Sequence, residues 1–129
     1  MQVFEQELTV SQEDLDDLNH VNNVVYLQWV QDIAKTHWLK NANEALLRNY
    51  FWVVISHNIE YKSSALLHDK LLLKTYVSES KGVTSTRIVN IYNKQNNNLL
   101  VTCETKWCLM SIATKKPARI TEEIATLFN

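Results

Sequence analysis

The chain has 129 residues and a hydrophobic content of 46%, which fits one globular domain covering residues 1–129. Thirteen basic and fourteen acidic residues give a formal net charge of -1, so no general field attracts nucleic acid or an anionic membrane. The sequence lacks a basic start followed by an apolar run, and no segment is long enough to span a bilayer. These features predict a cytoplasmic protein with neither nucleic acid nor membrane as a partner.

The first half of the chain predicts a strand, a polar loop and a helix. The strand covers Val3 to Val10 and ends in the loop SQEDLDDLNH. From Asn23 to Lys40 apolar residues recur with helical spacing and share one face. Val24 and neighbouring apolar residues extend the apolar surface around the first half of this helix. We therefore expect the first half of the helix to be buried and its second half to be more exposed.

The second half predicts a short helix followed by strands. The helix covers residues 43–50, and the strands cover Phe51 to Tyr61, Lys70 to Ser78, Thr84 to Tyr92 and Leu99 to Ile112. The last three strands are joined by tight connections, which predicts an antiparallel meander in an α+β protein. Because one sheet covers only one side of the helix, we expect self-association into at least a dimer.

The loop before the long helix carries the densest polar cluster of the chain, EDLDDLNHVNN, from Glu13 to Asn23. Asp and Asn side chains cap helices, but a helix start has only about four unpaired N–H donors, fewer than this cluster could serve. Carboxylates can act as nucleophile or general base, and free N–H groups at a helix start can hold an oxyanion. The cluster therefore suits acyl-transfer chemistry.

This stretch resembles the loop and central helix of a known family. DLDDLNHVNNVVYLQW, from Asp14 to Trp29, is similar to hotdog-fold thioesterases of the 4-hydroxybenzoyl-CoA and acyl-CoA thioesterase family. It also resembles the corresponding stretch of plant acyl-ACP thioesterases, so the motif leaves the carrier open. The segments NIEYKSSA, DKLLLKT and TKWCLM lie where later strands of the family would be. The resemblance implies a hotdog fold, in which an antiparallel β-sheet wraps around one long central α-helix.

The resemblance also assigns catalytic residues. The second Asp of the family's D-x-D-x-x-G pattern falls on Asp16, and Asn19 replaces the glycine. Asn tolerates the left-handed backbone that the glycine position requires. In the plant acyl-ACP enzymes an Asp-x-Asn-x-His set is catalytic, and here Leu18 replaces its Asn while His20 is retained. We predict that Asp16 acts as base or nucleophile and that His20 and Asn23 orient water or substrate.

Substrate-binding residues follow from the same resemblance. Six positions at the helix start and after the second strand are candidates: Asn22, Val24, Tyr26, Tyr61, Lys62 and Ser63. The backbone N–H groups near Asn22 to Val24 would polarise the thioester carbonyl. The family's sites lie between subunits, so residues 58–64 of a second copy would line the pocket of a homodimer or homotetramer.

The predicted reaction is hydrolysis of an acyl-CoA thioester, with coenzyme A as part of the substrate and no metal or other cofactor. The histidines are scattered, and none has the spacing of a zinc site. Cys103 and Cys108 lie on opposite faces of one predicted strand, without a visible activating partner. Two alternatives remain open: an acyl-ACP thioesterase, and a non-catalytic acyl-CoA-binding hotdog protein.

Overall fold

The structure is a computed structural model that describes every residue from Met1 to Asn129. Its elements in chain order are β1 (Phe4–Thr9), α1 (Asn23–Asn41), α2 (Glu44–Asn49), β2 (Tyr50–Tyr61), β3 (Lys70–Lys81), β4 (Thr84–Asn93), β5 (Leu99–Ser111) and α3 (Glu122–Thr126). Every predicted strand and both predicted helices are present, with small shifts at their ends. None of the three helices combines the length and the apolar character that crossing a membrane requires.

The five strands form one antiparallel sheet in the order β1-β3-β4-β5-β2. The neighbours β3, β4 and β5 form the predicted meander, so this part of the topology is confirmed. Alternate residues of β4 are buried, as expected for strands with one face against a helix. The strand β2, twelve residues long, lies at one edge of the sheet, and β1 lies at the other.

The long helix α1 packs one face against the sheet. Its buried residues are spread over both halves of the helix: Tyr26, Val30, Ile33, Ala34, His37 and Trp38. The expectation of early burial and late exposure is wrong for the single chain, because Val24 is 70% exposed. The sheet covers only one side of the first turns, whereas Phe4 and Phe128 cover the later turns at His37.

A second apolar cluster closes the far end of α1 and includes α3, which the sequence did not predict. Trp38, Leu46 and Leu109 pack there with Ile124 and Phe128. The hydroxyl of Thr121 caps α3 by accepting a hydrogen bond from the Ile124 N–H at 3.2 Å. Because α3 has only five residues, its apolar pattern is too short to distinguish a helix from a turn.

Candidate active site

The carboxylate of Asp16 is fixed within the loop that precedes α1. Its Oδ1 accepts hydrogen bonds from the backbone N–H groups of Leu18 and His20, at 2.9 and 3.1 Å. The N–H of Asp16 donates to the His20 carbonyl at 2.7 Å. The side chain is half-buried, and no protein group donates to Oδ2. One oxygen therefore orients the carboxylate, and the other is free for chemistry.

Asn19 occupies the left-handed position of this loop, with φ of 61°. Its N–H donates to the Asp16 carbonyl at 3.1 Å, which closes the turn around the carboxylate. Asn and Gly adopt this conformation at lower cost than other residues. The expectation that Asn19 preserves the turn in place of glycine is confirmed.

Asp14 serves the structure of the loop. Its Oδ2 accepts hydrogen bonds from the N–H and the hydroxyl of Ser11, at 2.9 and 3.1 Å. Its carbonyl accepts the N–H of Asn22 at 2.9 Å, next to a bridge between Leu15 and Val21. These contacts join the two ends of the loop and hold Asp16 close to the start of α1.

The start of α1 is capped by Asn22. Its Oδ1 accepts the N–H of Val24 at 3.0 Å, and its carbonyl accepts the N–H of Val25 at 2.9 Å. The N–H of Asn22 itself donates to the Asp14 carbonyl. Of the three N–H groups predicted to polarise a carbonyl, only that of Asn23 has no acceptor among the loop and cap hydrogen bonds.

The segment after β2 lies beside the helix start in the same chain. The Tyr61 hydroxyl donates to the Asn23 carbonyl at 3.2 Å, and the Tyr26 hydroxyl accepts the Ala65 N–H at 2.9 Å. The Val21 N–H donates to the Ala65 carbonyl at 3.2 Å. Within one chain, Tyr61 and Asn23 are therefore neighbours, and the pocket contribution predicted for residues 58–64 of a second copy stays a prediction.

The remaining candidate residues, Lys62, Ser63 and His20, are exposed. Lys62 and Ser63 are exposed, and their N–H groups both donate to the Leu100 carbonyl, at 2.8 and 3.1 Å. The Lys62 ammonium pairs with Glu60 at 3.4 Å. The His20 imidazole is exposed and forms no hydrogen bond with Asp16, since only the His20 backbone contacts that carboxylate. The catalytic and binding roles of these residues stay predictions.

Burial governs the ionisation of the two tyrosines near the site. Burial raises the pKa of Tyr26, and the negative charges of Asp69 and Asp16 add to the rise against the Ala65 hydrogen bond. Burial also raises the pKa of Tyr61. Both phenols are therefore neutral at physiological pH. Tyr26 is buried, so its observed contact is structural, while Tyr61 is exposed.

The sequence did not predict a contact between the buried Cys103 and the half-buried His57. The Cys103 thiol lies 3.9 Å from Nδ1 of His57. The same Nδ1 lies 2.8 Å from the Thr105 hydroxyl. Burial raises the pKa of Cys103 and lowers the pKa of His57, so both groups are held neutral. A neutral thiol is a poor nucleophile. No three His, Cys, Asp or Glu side chains are grouped so that they could hold a metal ion.

Comparison with solved structures identifies the fold. A mutant 4-hydroxybenzoyl-CoA thioesterase complexed with 4-hydroxybenzoyl-CoA aligns with a TM-score of 0.90 and 11% identity, over 100% of both chains. A 1,4-dihydroxy-2-naphthoyl-CoA thioesterase from Synechocystis aligns with a TM-score of 0.84 and 15% identity, over 98% of this chain and 95% of that one. The 12:0-ACP thioesterase from Umbellularia californica aligns with a TM-score of 0.84 and 14% identity, over 98% of this chain and 51% of that one.

At these identities the likeness is one of fold, and it confirms the predicted hotdog arrangement. No curated protein matches the sequence. The family model of the acyl-ACP thioesterase N-terminal domain matches residues 1–128, which is nearly the whole chain. The chain belongs to this thioesterase family.

Proposed function

We propose that this protein hydrolyses acyl-CoA thioesters to a free carboxylic acid and coenzyme A. The observation that carries the proposal is the geometry of Asp16, whose Oδ1 is held by two N–H groups while Oδ2 has no protein donor. The carboxylate lies in the loop that leads directly into α1, and the N–H of Asn23 there lacks an acceptor. A general base and an oxyanion donor are the two groups that thioester hydrolysis needs.

In the proposed reaction, Oδ2 of Asp16 removes a proton from water as the water oxygen bonds to the thioester carbon. The carbonyl oxygen becomes an oxyanion that accepts the N–H of Asn23. Collapse of this intermediate breaks the carbon–sulfur bond, and the departing thiolate takes the proton from Asp16. If Asp16 acts instead as the nucleophile, the same bond breaks first and water then hydrolyses the resulting anhydride. Neither path requires a metal or a redox cofactor.

The proposal names coenzyme A, and not acyl carrier protein, as the group that carries the acyl chain. Two of the structural relatives act on CoA thioesters, which supports acyl-CoA as the substrate. The family model and the 12:0-ACP thioesterase support the alternative, an acyl-ACP substrate. A carrier protein would require a basic rim, and Lys62 near the site is already paired with Glu60. The third alternative, non-catalytic binding, would not require the ordered Asp16 carboxylate.

We also propose that the protein is a homodimer or homotetramer in the cytoplasm. The outer edge of β2 has no strand partner, and Phe51, Val53 and Ile55 are exposed there, with Ile55 at 52%. A long apolar edge strand favours pairing with another chain. A dimer through this edge would add residues 58–64 of a second copy to the pocket. Solution mass tests this directly, and a stable monomer with full activity would contradict it.

The decisive experiment measures thiol release from a panel of acyl-CoA and acyl-ACP substrates with wild type and Asp16→Asn. Asn keeps an Oδ1 that accepts from Leu18 and His20, so the loop is retained while the base is lost. We expect a loss of roughly 10²- to 10⁴-fold in kcat. Asp17→Asn is the matched control, because Asp17 is exposed and its side chain forms no hydrogen bond. Equal rates for Asp16→Asn and wild type would refute the mechanism, and cleavage of acyl-ACP alone would select that carrier.

A further inference from the structure

A groove of about 480 Å³ lies between α1, from Gln28 to Leu39, and the strands β2, β4 and β5. Much of its wall is apolar, with Trp38 and Leu39 from α1 facing Phe51 and Trp52 from β2. None of residues 14–23, the loop and helix start proposed for catalysis, lines it. The groove begins at Gln28, about 8 Å along the helix axis from Asn23.

A buried cation lies in the lining of this groove. Arg87 is 5% exposed and takes part in none of the protein's four ion pairs. Burial lowers its pKa to about 10, so it remains cationic at neutral pH. The only carboxylate in the lining is Asp32, which accepts a hydrogen bond from Gln28 at 2.8 Å, and Lys35 balances its charge. A buried charge without a counterion is costly, which makes this arrangement unusual.

The hydrogen bonds of Arg87 leave part of its guanidinium free. Nη1 donates to Nδ1 of His37 at 2.8 Å and to the Thr75 hydroxyl at 3.1 Å. Nε and Nη2 have no acceptor in the protein, and neither is sealed from solvent. Arg87 itself lines the groove, so part of this cation is open to a ligand bound there.

Trp107, another residue of the lining, carries a second N–H donor without an acceptor. Trp107 Nε1 is buried and has no hydrogen-bond partner. Trp107 is the cross-strand neighbour of Ser85, which lies two residues before Arg87 on β4 and also lines the groove. The groove therefore places the cation of Arg87 beside aromatic walls. A ligand that fits must bring an acceptor with negative charge and an apolar body.

We propose that the groove binds the carboxylate of an apolar acid, with the carboxylate on Arg87 and the hydrocarbon against Trp38 and Trp52. This is the chemical class of the acid that thioester hydrolysis releases, but the binding does not depend on catalysis. The same chemistry is offered by a free fatty acid and by an acyl thioester that carries a second, terminal carboxylate. The observations require only the carboxylate and the apolar chain.

The test uses decanoate as the probe and decanol as its uncharged analogue, with binding followed by calorimetry and by the fluorescence of the groove tryptophans. We expect decanoate to bind wild type and Asp16→Asn equally, and decanol to bind much more weakly. Decanoyl-CoA and its analogue with a terminal carboxylate, tested on Asp16→Asn, separate the two sources. Tighter binding of the terminal carboxylate form assigns the groove to the acyl chain, and equal binding assigns it to the free acid.

Two variants locate the contact. Arg87→Gln removes the cation, and Phe51→Glu places a negative charge on the lining at a side chain that is already partly exposed. Arg87→Gln should weaken decanoate binding by roughly thirtyfold or more, the loss typical of a broken buried charge pair. Phe51→Glu should also weaken it, because the added carboxylate repels the carboxylate of decanoate. Arg119→Gln, which changes an exposed arginine away from the groove, should leave binding unchanged.

Three results would overturn the proposal: no binding of decanoate by wild type, equal binding of decanol and decanoate, or unchanged decanoate binding in both groove variants. The solution mass of each variant excludes another occupant. If wild type is a dimer that ignores decanoate and Phe51→Glu is a monomer, a second copy fills the groove and the proposal is wrong. Because these measurements need no turnover, their failure is distinct from a failure of the proposed hydrolysis.

Discussion

The hydroxyl of Tyr26 accepts a hydrogen bond from the backbone N–H of Ala65, at 2.9 Å and across 39 residues of sequence. Tyr26 is in the first turns of α1, and Ala65 follows β2, so this bond joins the helix start to the segment that carries Tyr61. Both residues are buried. The contact fixes the distance between two parts of the candidate site that the chain itself does not hold together.

Tyr26→Phe should destabilise the fold by about 1 to 2 kcal/mol, because the Ala65 N–H would be left buried without an acceptor. Urea unfolding measures this loss. Tyr92→Phe is the matched control, since the Tyr92 side chain is half-buried and its hydroxyl forms no hydrogen bond. Equal stability of the two variants would show that the bond contributes nothing.

The buried His37 predicts a pH-dependent stability. Burial and the charge of Arg87 lower the pKa of His37 to about 4 from 6.5, so its Nδ1 accepts from Arg87 in the neutral form. Between pH 4 and 6.5 the unfolded chain binds a proton that the folded chain does not, so stability falls as the pH falls through this window. The loss at pH 4 should reach roughly 2 to 3 kcal/mol.

Chemical unfolding at pH 7 and pH 4.5 measures this effect. His37→Gln should show a smaller change between the two pH values than wild type, although it is less stable at pH 7. The exposed His68 provides the comparison, because His68→Asn keeps a residue that tolerates its left-handed φ of 70°. A pH dependence that is the same in His37→Gln and wild type would assign it to carboxylates instead.

The left-handed turn at Asn19 predicts opposite effects for two small substitutions. Asn19→Ala should cost about 1 kcal/mol, because a Cβ without a local hydrogen bond disfavours φ of 61°, whereas Asn19→Gly should be neutral or nearly so. Thermal unfolding gives both values. Asn98→Ala, at an exposed loop position with negative φ, should change stability little. If Asn19→Gly were the more damaging change, the turn would not depend on the backbone conformation.

The two Asn caps allow stability and activity to be separated. Asn22 caps α1 and Asn43 caps α2, each through one side-chain hydrogen bond, at 3.0 and 2.9 Å. Asn22→Ala and Asn43→Ala should each cost about 1 kcal/mol. Only Asn22→Ala should also lower kcat for thioester hydrolysis, because it loosens the helix start beside Asp16. Parallel unfolding and thiol-release assays check this, and equal kcat values would remove Asn22 from the site.

Local patterns predicted much of the fold. The alternation along β4 and β5 and the helical spacing of α1 depend on neighbours within a few residues, so their limits could be predicted closely. The loop around Asp16 is local too, since its hydrogen bonds join residues within four positions of each other. The short α3 and the burial of the later turns of α1 could not be predicted, because both depend on packing against residues distant in sequence.

The sequence by itself determined the elements, the α+β class and the candidate carboxylate Asp16, because each follows from short-range spacing or from a contiguous motif. Only the tertiary structure decided which residues lie beside the free N–H at the start of α1, and that Arg87 is buried. The contact between Arg87 and His37 spans 50 residues, and that between Tyr26 and Ala65 spans 39. Contacts of this range are set by the order of strands in the sheet, which local spacing does not specify.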